Sequence, residues 1–245
     1  NITYSFYPVY SDLFNLNPET IPLNENFEIE TDDYKNLNGG IILANPNAPT
    51  SIALVKGDIE KIIAANKDNI VIIDEAYIDF GGESVLDLIN KYDNLLVVQT
   101  FSKSRALAGM RLGFAAGNKE LINGLDKVKF SFNSYTINRL SIKAGTAAVR
   151  DREYFKKTVE TLVKTREKTK AVLKEYGFFV PDSKANFLFV SHNRISGEEL
   201  YLRLKDEGIL VRYFKKPKID NFIRITIGTE KEMEIFTEKI KEILK

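Results

Sequence analysis

The stretch TFSKSRALAGMRLGF, residues 100–114, sets Lys103 directly after Ser102 and holds Arg111 between Gly109 and Gly113. A lysine amine becomes nucleophilic when a neighbouring cation disfavours its ammonium form, which is how Schiff-base lysines are prepared. Arg111 could be that cation, and its planar fork, with the Ser102 hydroxyl, suits a phosphate. Asp74 closes the apolar run Ile70-Val71-Ile72-Ile73, where a carboxylate could keep a ring nitrogen protonated. Tyr77, three residues later, and Asn45, in the run Asn45-Pro46-Asn47, could both donate hydrogen bonds to an oxygen on the same ring. Each residue also has an ordinary explanation. A strand-end lysine snorkels to the surface, an aspartate caps a helix, an asparagine among prolines makes a rigid turn, and an arginine bridges two loops.

The elements that carry these residues give them a common placement. GGIILANPN, NIVIIDEAY and NLLVVQTFSK are short, β-branched apolar runs, expected of parallel strands buried on both faces. Between the first two, Val55, Ile59, Ile62 and Ile63 mark a helix, and SVLDLINKY reads as another short one. Strand, helix, strand, helix, strand predicts a parallel sheet with right-handed crossovers. Asn45, Asp74 with Tyr77, and Ser102 with Lys103 then all follow the carboxyl ends of their strands, the edge where open α/β sheets bind ligands. LGFAAGN reads as a further strand, followed by helices near 119–130 and 135–149. A longer helix near 151–176 carries Phe155, Val159, Leu162 and Val172 at helical spacing. Beyond it GFFVP, ANFLFVS, GILVRYF and FIRITIG read as short strands, with a helix near 196–206 among them. A last amphipathic helix carries Met233, Phe236, Ile240 and Ile243. The expected architecture is α/β: a large domain over residues 1–150 with a mainly parallel sheet, and a smaller α+β domain over 151–245.

Composition excludes several alternatives. The 245 residues carry a formal net charge of +1 and no long block of like charge, so neither nucleic acid nor an acidic membrane is an expected partner. Cysteine is absent, which removes disulfides, thiolate nucleophiles and cysteine metal sites. The single histidine, His192 in SHNRISG, reads as an exposed loop residue and cannot make a multi-histidine metal site. No segment has the length of a membrane span or the form of a signal peptide, and the expected compartment is the cytoplasm. No G-x-G-x-x-G opens a helix after a strand, which sets aside a nucleotide-binding dehydrogenase. The chain opens on Asn1 rather than methionine, and something upstream is expected to be missing.

An amine, an acid for a ring nitrogen, donors for a ring hydroxyl and cationic or hydroxyl groups for a phosphate are together what pyridoxal phosphate requires of a protein. The stretches NPNAPT, IIDEAYIDF and TFSKSRALAGMRLGF resemble the fold-type I pyridoxal-phosphate-dependent aminotransferases. With ITYSFYPVYSDLF and FIRITIGT the narrower resemblance, running to the last helix, is to the histidinol-phosphate aminotransferases. It implies that Lys103 forms the Schiff base with the cofactor and then shuttles the substrate proton. Asp74 would bind the pyridine nitrogen, Asn45 and Tyr77 the ring oxygen, and Ser102 and Arg111 the phosphate. Tyr4, otherwise a core tyrosine, would stack on the ring. Arg224, with help from Arg212, would bind the anionic group of the substrate; read alone, each is an edge-exposed strand arginine. Asn186 lies at a family-like position without an assigned role, and Asn45–Pro46 is a candidate cis peptide.

The reaction so implied is amino transfer between histidinol phosphate and 2-oxoglutarate, a step of histidine biosynthesis that runs toward histidinol phosphate from glutamate and imidazole-acetol phosphate. The implied assembly is a homodimer. Two departures stand out. Ser51 occupies a position where the family usually has glycine. The family's N-terminal third, with a phosphate-cradling loop and a tyrosine given to the neighbouring subunit, has no counterpart. Threonine-phosphate decarboxylase, an aromatic aminotransferase and a non-catalytic fragment are the competing readings.

Overall fold

A computed structural model describes all residues from Asn1 to Lys245. Three parallel strands lie side by side, β1 (Ile41–Ala44), β2 (Val71–Asp74) and β3 (Leu95–Thr100), and β4 (Gly113–Gly117) closes the sheet antiparallel to β3. The sheet is thus mostly parallel. Helix α1 (Tyr7–Leu13) precedes it and α2 (Lys56–Ala65) crosses from β1 to β2. Ile59, Ile62 and Ile63 of α2 are all 0% exposed, at the i, i+3, i+4 spacing of one helix face. They pack on Ile41, Leu43, Val71, Ile73, Leu95 and Val97. Full burial of each such side chain stabilises by about 1.5–3 kcal/mol.

Only this face of the sheet is sealed throughout. On the other face Ile42 is 44% exposed, so the expectation of burial on both faces holds for only part of the sheet. Val55, expected on the inner side of α2, precedes the helix and is exposed. The segment read as a second crossover helix is a short 3-10 turn, Leu86–Asn90.

Helices α3 (Lys119–Phe132), α4 (Arg139–Arg150) and α5 (Arg152–Glu175) follow β4. Their starts are written in the sequence: Asn118, Asn138 and Asp151 each accept a backbone N–H of the first turn. A second sheet, in the order β5-β6-β8-β7, is wholly antiparallel: β5 (Phe178–Phe179), β6 (Phe187–His192), β7 (Arg212–Tyr213) and β8 (Ile223–Thr226). Helices α6 (Gly197–Asp206) and α7 (Glu230–Ile243) cover it, α7 opening on a capping box between Thr229 and Glu232. Its core joins Leu173 of α5 to Leu188 and Val190 of β6, Ile223 and Ile225 of β8, and Phe236 and Ile240 of α7. His192 ends β6 rather than lying in an exposed loop. It is buried, accepts the Arg194 N–H at Nδ1 and reaches the Tyr176 carbonyl with Nε2, so Nε2 carries the proton.

The two sheets meet at a seam that carries three features. Ile2 and Leu23 pack with Phe189 and Ile219. Ala48 packs with Ala185 and Phe187. Arg166 of α5, 3% exposed, donates from Nη1 to the Phe80 and Ala185 carbonyls, each at 2.8 Å. The turn after β1 is buried here too. Asn45–Pro46 is cis, as expected, and so is Ala48–Pro49.

Ser51 sits in this turn with φ +66, 0% exposed, its backbone tied to Asn47 and Lys184 while its Oγ is buried without a partner. A left-handed backbone costs a non-glycine residue about 1–2 kcal/mol, and an orphaned buried hydroxyl adds about 1–3 kcal/mol. Ser51→Gly removes both, against about 0.5–1 kcal/mol of extra unfolded-chain freedom. We expect the substitution to stabilise the chain by about 1–2 kcal/mol; an unchanged or lower urea midpoint would refute the strain argument.

Candidate active site

Lys103 and Arg111 both belong to the connection between β3 and β4. The strands pair up to Thr100 opposite Gly113, and the Phe101 N–H donates to the Leu112 carbonyl at 3.0 Å. A side chain at Gly113 would place its Cβ 2.9 Å from the Gln99 carbonyl oxygen, so the pairing requires glycine there; Gly109 has open space. Thr100 Oγ1 accepts the Ser102 N–H at 3.0 Å and donates to Ser102 Oγ at 2.9 Å, fixing the residue before Lys103 and leaving the Ser102 proton free to donate. Arg111 takes a left-handed conformation, φ +51, and its Nη1 holds the Ala108 carbonyl at 2.8 Å. Lys103 is exposed and forms no ion pair; its Nζ stands 5.1 Å from the centre of the Tyr77 ring.

Asp74 is the last residue of β2, and donors hold both of its oxygens. The Ala76 N–H reaches Oδ1 at 3.1 Å, and the Tyr7 hydroxyl donates to Oδ2 at 2.8 Å. Burial, then the neighbouring Asp74 charge, push the Tyr7 phenol far above its ordinary pKa, so Tyr7 remains a donor at any working pH. Its ring meets that of Tyr4 edge-on at 5.5 Å. Glu75 is buried and accepts from Ser84 Oγ, the Val85 N–H and Gln99 Nε2, each at 2.7 Å. Burial nevertheless raises its carboxyl above the usual range. It fixes the end of β2 to β3.

Asn45 is oriented by its own turn. Its backbone N–H donates to the Asp74 carbonyl at 2.9 Å, which places it beside the site. In its side chain, Oδ1 accepts the Leu54 N–H at 2.8 Å, which orients the amide, and Nδ2 lies 3.4 Å from the Leu54 carbonyl. The turn-forming explanation therefore accounts for the amide oxygen, while the amide nitrogen keeps a hydrogen to donate. Tyr77 keeps its hydroxyl free of protein partners, and its ring stands perpendicular to Phe187 of β6 at 5.1 Å.

The second sheet contributes the remaining cations. Arg224 on β8 lies directly opposite Arg212 on β7. Its guanidinium lies over Phe187 at 4.9 Å, its Nε is buried without a hydrogen bond, and neither arginine is in an ion pair. Burial, with a smaller contribution from Arg212, lowers the Arg224 pKa. Contacts thus run from Lys103 through Tyr77 and Phe187 to Arg224. Tyr4 reaches Asp74 only through Tyr7. Asn186 engages the Ile227 N–H with its backbone carbonyl.

An amine without a counter-ion, a carboxylate fixed by donors and a half-buried cation lacking an acceptor can together bind an anionic amino compound and move its protons. Sequence reasoning missed Tyr7 and Phe187. Their only local signal is aromatic density, as in YSFYPVY, which does not distinguish them from neighbouring rings.

Comparison with known proteins places this geometry. Residues 1–240 match the family model of aminotransferase class I and II. The chain is 65% identical over 246 aligned positions to a histidinol-phosphate aminotransferase of Brachyspira hyodysenteriae, covering 100% of the chain and 70% of that enzyme. Among solved structures, the histidinol-phosphate aminotransferase of Clostridium acetobutylicum superposes with a TM-score of 0.91 at 26% identity, over 99% of this chain and 75% of that one. That of Sinorhizobium meliloti, in complex with pyridoxal-5'-phosphate, superposes with a TM-score of 0.89 at 20% identity, over 100% of this chain and 68% of that one; it bears on the fold alone.

Proposed function

Since the chain belongs to the class I and II aminotransferases, we propose that it catalyses pyridoxal-phosphate-dependent transamination between histidinol phosphate and 2-oxoglutarate, forming histidinol phosphate from glutamate and imidazole-acetol phosphate in histidine biosynthesis. The observation that carries this reading is the whole-chain identity to an enzyme named for that substrate. The residues present fit the cofactor. Lys103 offers an amine without a counter-ion, Asp74 a carboxylate held in place, and Tyr77 a hydroxyl with no protein partner. When bound, pyridoxal phosphate supplies a carbonyl that carries amino groups and a ring that withdraws electrons.

The protein's own groups then divide the work. The Lys103 amine holds the cofactor carbonyl carbon and afterwards moves the proton from the substrate Cα. Asp74 binds the ring nitrogen and keeps its proton in place by opposite charge. Tyr77 donates to the ring oxygen, Tyr4 covers the ring face, and Ser102 and Arg111 grip the phosphate. Arg224, assisted by Arg212, binds the carboxylate or phosphate of the two substrates, a task that suits a planar cation with several donors. Asn45, anchored through Oδ1 in the turn beside Asp74, donates to the ring oxygen together with Tyr77.

The division into a large unit of residues 1–150 and a small unit of 151–245 is part of this reading, supported by the two sheets with separate cores. So is a homodimer. Helix α3 buries no residue, and Phe132 and Tyr135 are 91% and 95% exposed, a surface suited to burial against a second subunit. No helix is long and apolar enough to cross a membrane, and we place the reaction in the cytoplasm.

Two linked measurements test the function. Borohydride reduction after addition of pyridoxal phosphate should label Lys103 alone in a peptide mass map. In a separate sample loaded with pyridoxal phosphate and left unreduced, histidinol phosphate and 2-oxoglutarate should yield glutamate, whereas threonine phosphate should release no carbon dioxide. Label scattered over surface lysines, or decarboxylation without amino transfer, would overturn the assignment.

A further inference from the structure

The geometry points to Tyr7 as a positioning residue for the cofactor, acting through Asp74 and Tyr4 at once. This inference rests on the reading above. The Tyr7 hydroxyl donates to Asp74 Oδ2 at 2.8 Å, while the Ala76 N–H occupies Oδ1. The carboxylate is therefore held at both oxygens, its plane is fixed, and its remaining lone pairs are directed before the ring nitrogen arrives. The same Tyr7 ring braces Tyr4, edge to face at 5.5 Å, and the Tyr7 N–H donates to the Tyr4 carbonyl at 3.2 Å. One side chain thus sets the spacing between the group that covers the ring and the group that binds its nitrogen. Burial keeps the phenol protonated, so the hydrogen bond persists across the working pH range and Asp74 always meets a donor there.

Tyr7→Phe keeps the ring and its packing on Tyr4 and removes only the hydroxyl. A hydrogen bond to a charged group in this setting corresponds to about tenfold in affinity. We expect the dissociation constant for pyridoxal phosphate, followed by fluorescence, to rise about tenfold, and the pH midpoint of the bound cofactor's visible absorbance to shift. A double-mutant cycle with Asp74→Asn separates positioning from general damage. If Tyr7 acts through Asp74, Tyr7→Phe changes affinity little once Asp74 is asparagine. Additive losses, or a variant with lowered thermal stability but wild-type affinity and spectrum, would overturn the inference while leaving the proposed function intact. Failure of the unsubstituted chain to bind at Lys103 would overturn both.

Discussion

Lys103→Ala should lower the rate of amino transfer by about 10³-fold or more while shifting stability by no more than about 0.5 kcal/mol. The contrast follows from the surroundings of the side chain. The Lys103 side chain is exposed and makes no ion pair or hydrogen bond; its Nζ meets only the Tyr77 ring, at 5.1 Å, and the backbone carbonyl that accepts the Ala106 N–H is kept by any substitution. Folding therefore depends on it very little, and a lysine without structural work is free for chemistry. Lys103→Arg refines the test. Arginine keeps the positive charge near Tyr77 yet stays protonated at any working pH, so it can neither attack a carbonyl nor accept the Cα proton. If charge alone mattered, the arginine variant would retain most of the activity. If nucleophilicity matters, both variants fail and a small primary amine added to the alanine variant restores part of the rate. Activity above a tenth of the original in Lys103→Ala would remove the lysine from the mechanism.

Arg166→Met should cost about 3 kcal/mol in urea unfolding, the largest stability effect expected of any single exposed-looking lysine or arginine in the sequence. The KTREKTK pattern of α5 reads as a solvated helix face. Yet Arg166 is 3% exposed and donates to carbonyls of two separate segments, Phe80 after β2 and Ala185 before β6. Methionine fills similar volume but leaves the Phe80 carbonyl unpaired and the Ala185 carbonyl with only a 3.5 Å contact from Ser183 Oγ, at about 1–3 kcal/mol each. The ion pair with Glu167 adds little, because the glutamate side chain is 42% exposed and solvent screens it. Phe80 ends the short 3-10 turn that starts next to Tyr77, so the loss should also weaken cofactor binding. Arg166→Lys, with a single ammonium for two acceptors, should lie between. A methionine variant within about 0.5 kcal/mol of the original would show that the carbonyls find other donors.

The parts of the site that follow from local pattern were legible. Strand runs ending in Asp74 and in Thr100-Phe101-Ser102-Lys103 announced both the sheet and its functional edge. Alternation in FIRITIG placed Arg224 on a strand, and the Asn45-Pro46-Asn47 run announced its turn. The rest depends on distant pairs. Tyr7 and Asp74 are 67 positions apart and Arg166 and Phe80 are 86 apart, so no window of sequence holds either contact. Asn45 shows another limit: the run announced its turn, but that its Oδ1 accepts the Leu54 N–H, nine residues on, needed coordinates. His192 was misread because a strand extended to the edge of a polar stretch, where periodicity no longer marks the inside. The Ser51 departure was visible as a substitution, but its left-handed backbone needed coordinates.

The facing arginines of β7 and β8 make this corner of the fold locally frustrated. Like charges directly opposite across a strand pair oppose the pairing, and β7 is an edge strand of only two residues. The sequence retains this conflict where a neutral pair would hold the edge more firmly, as functional sites do. An anion between the guanidinium groups would resolve it, and ligand and strand pairing would then stabilise each other by the same free energy. Phosphate or sulfate should therefore raise the unfolding temperature of this chain, by holding its two-residue edge strand, and compete with the anionic substrate for the same arginines.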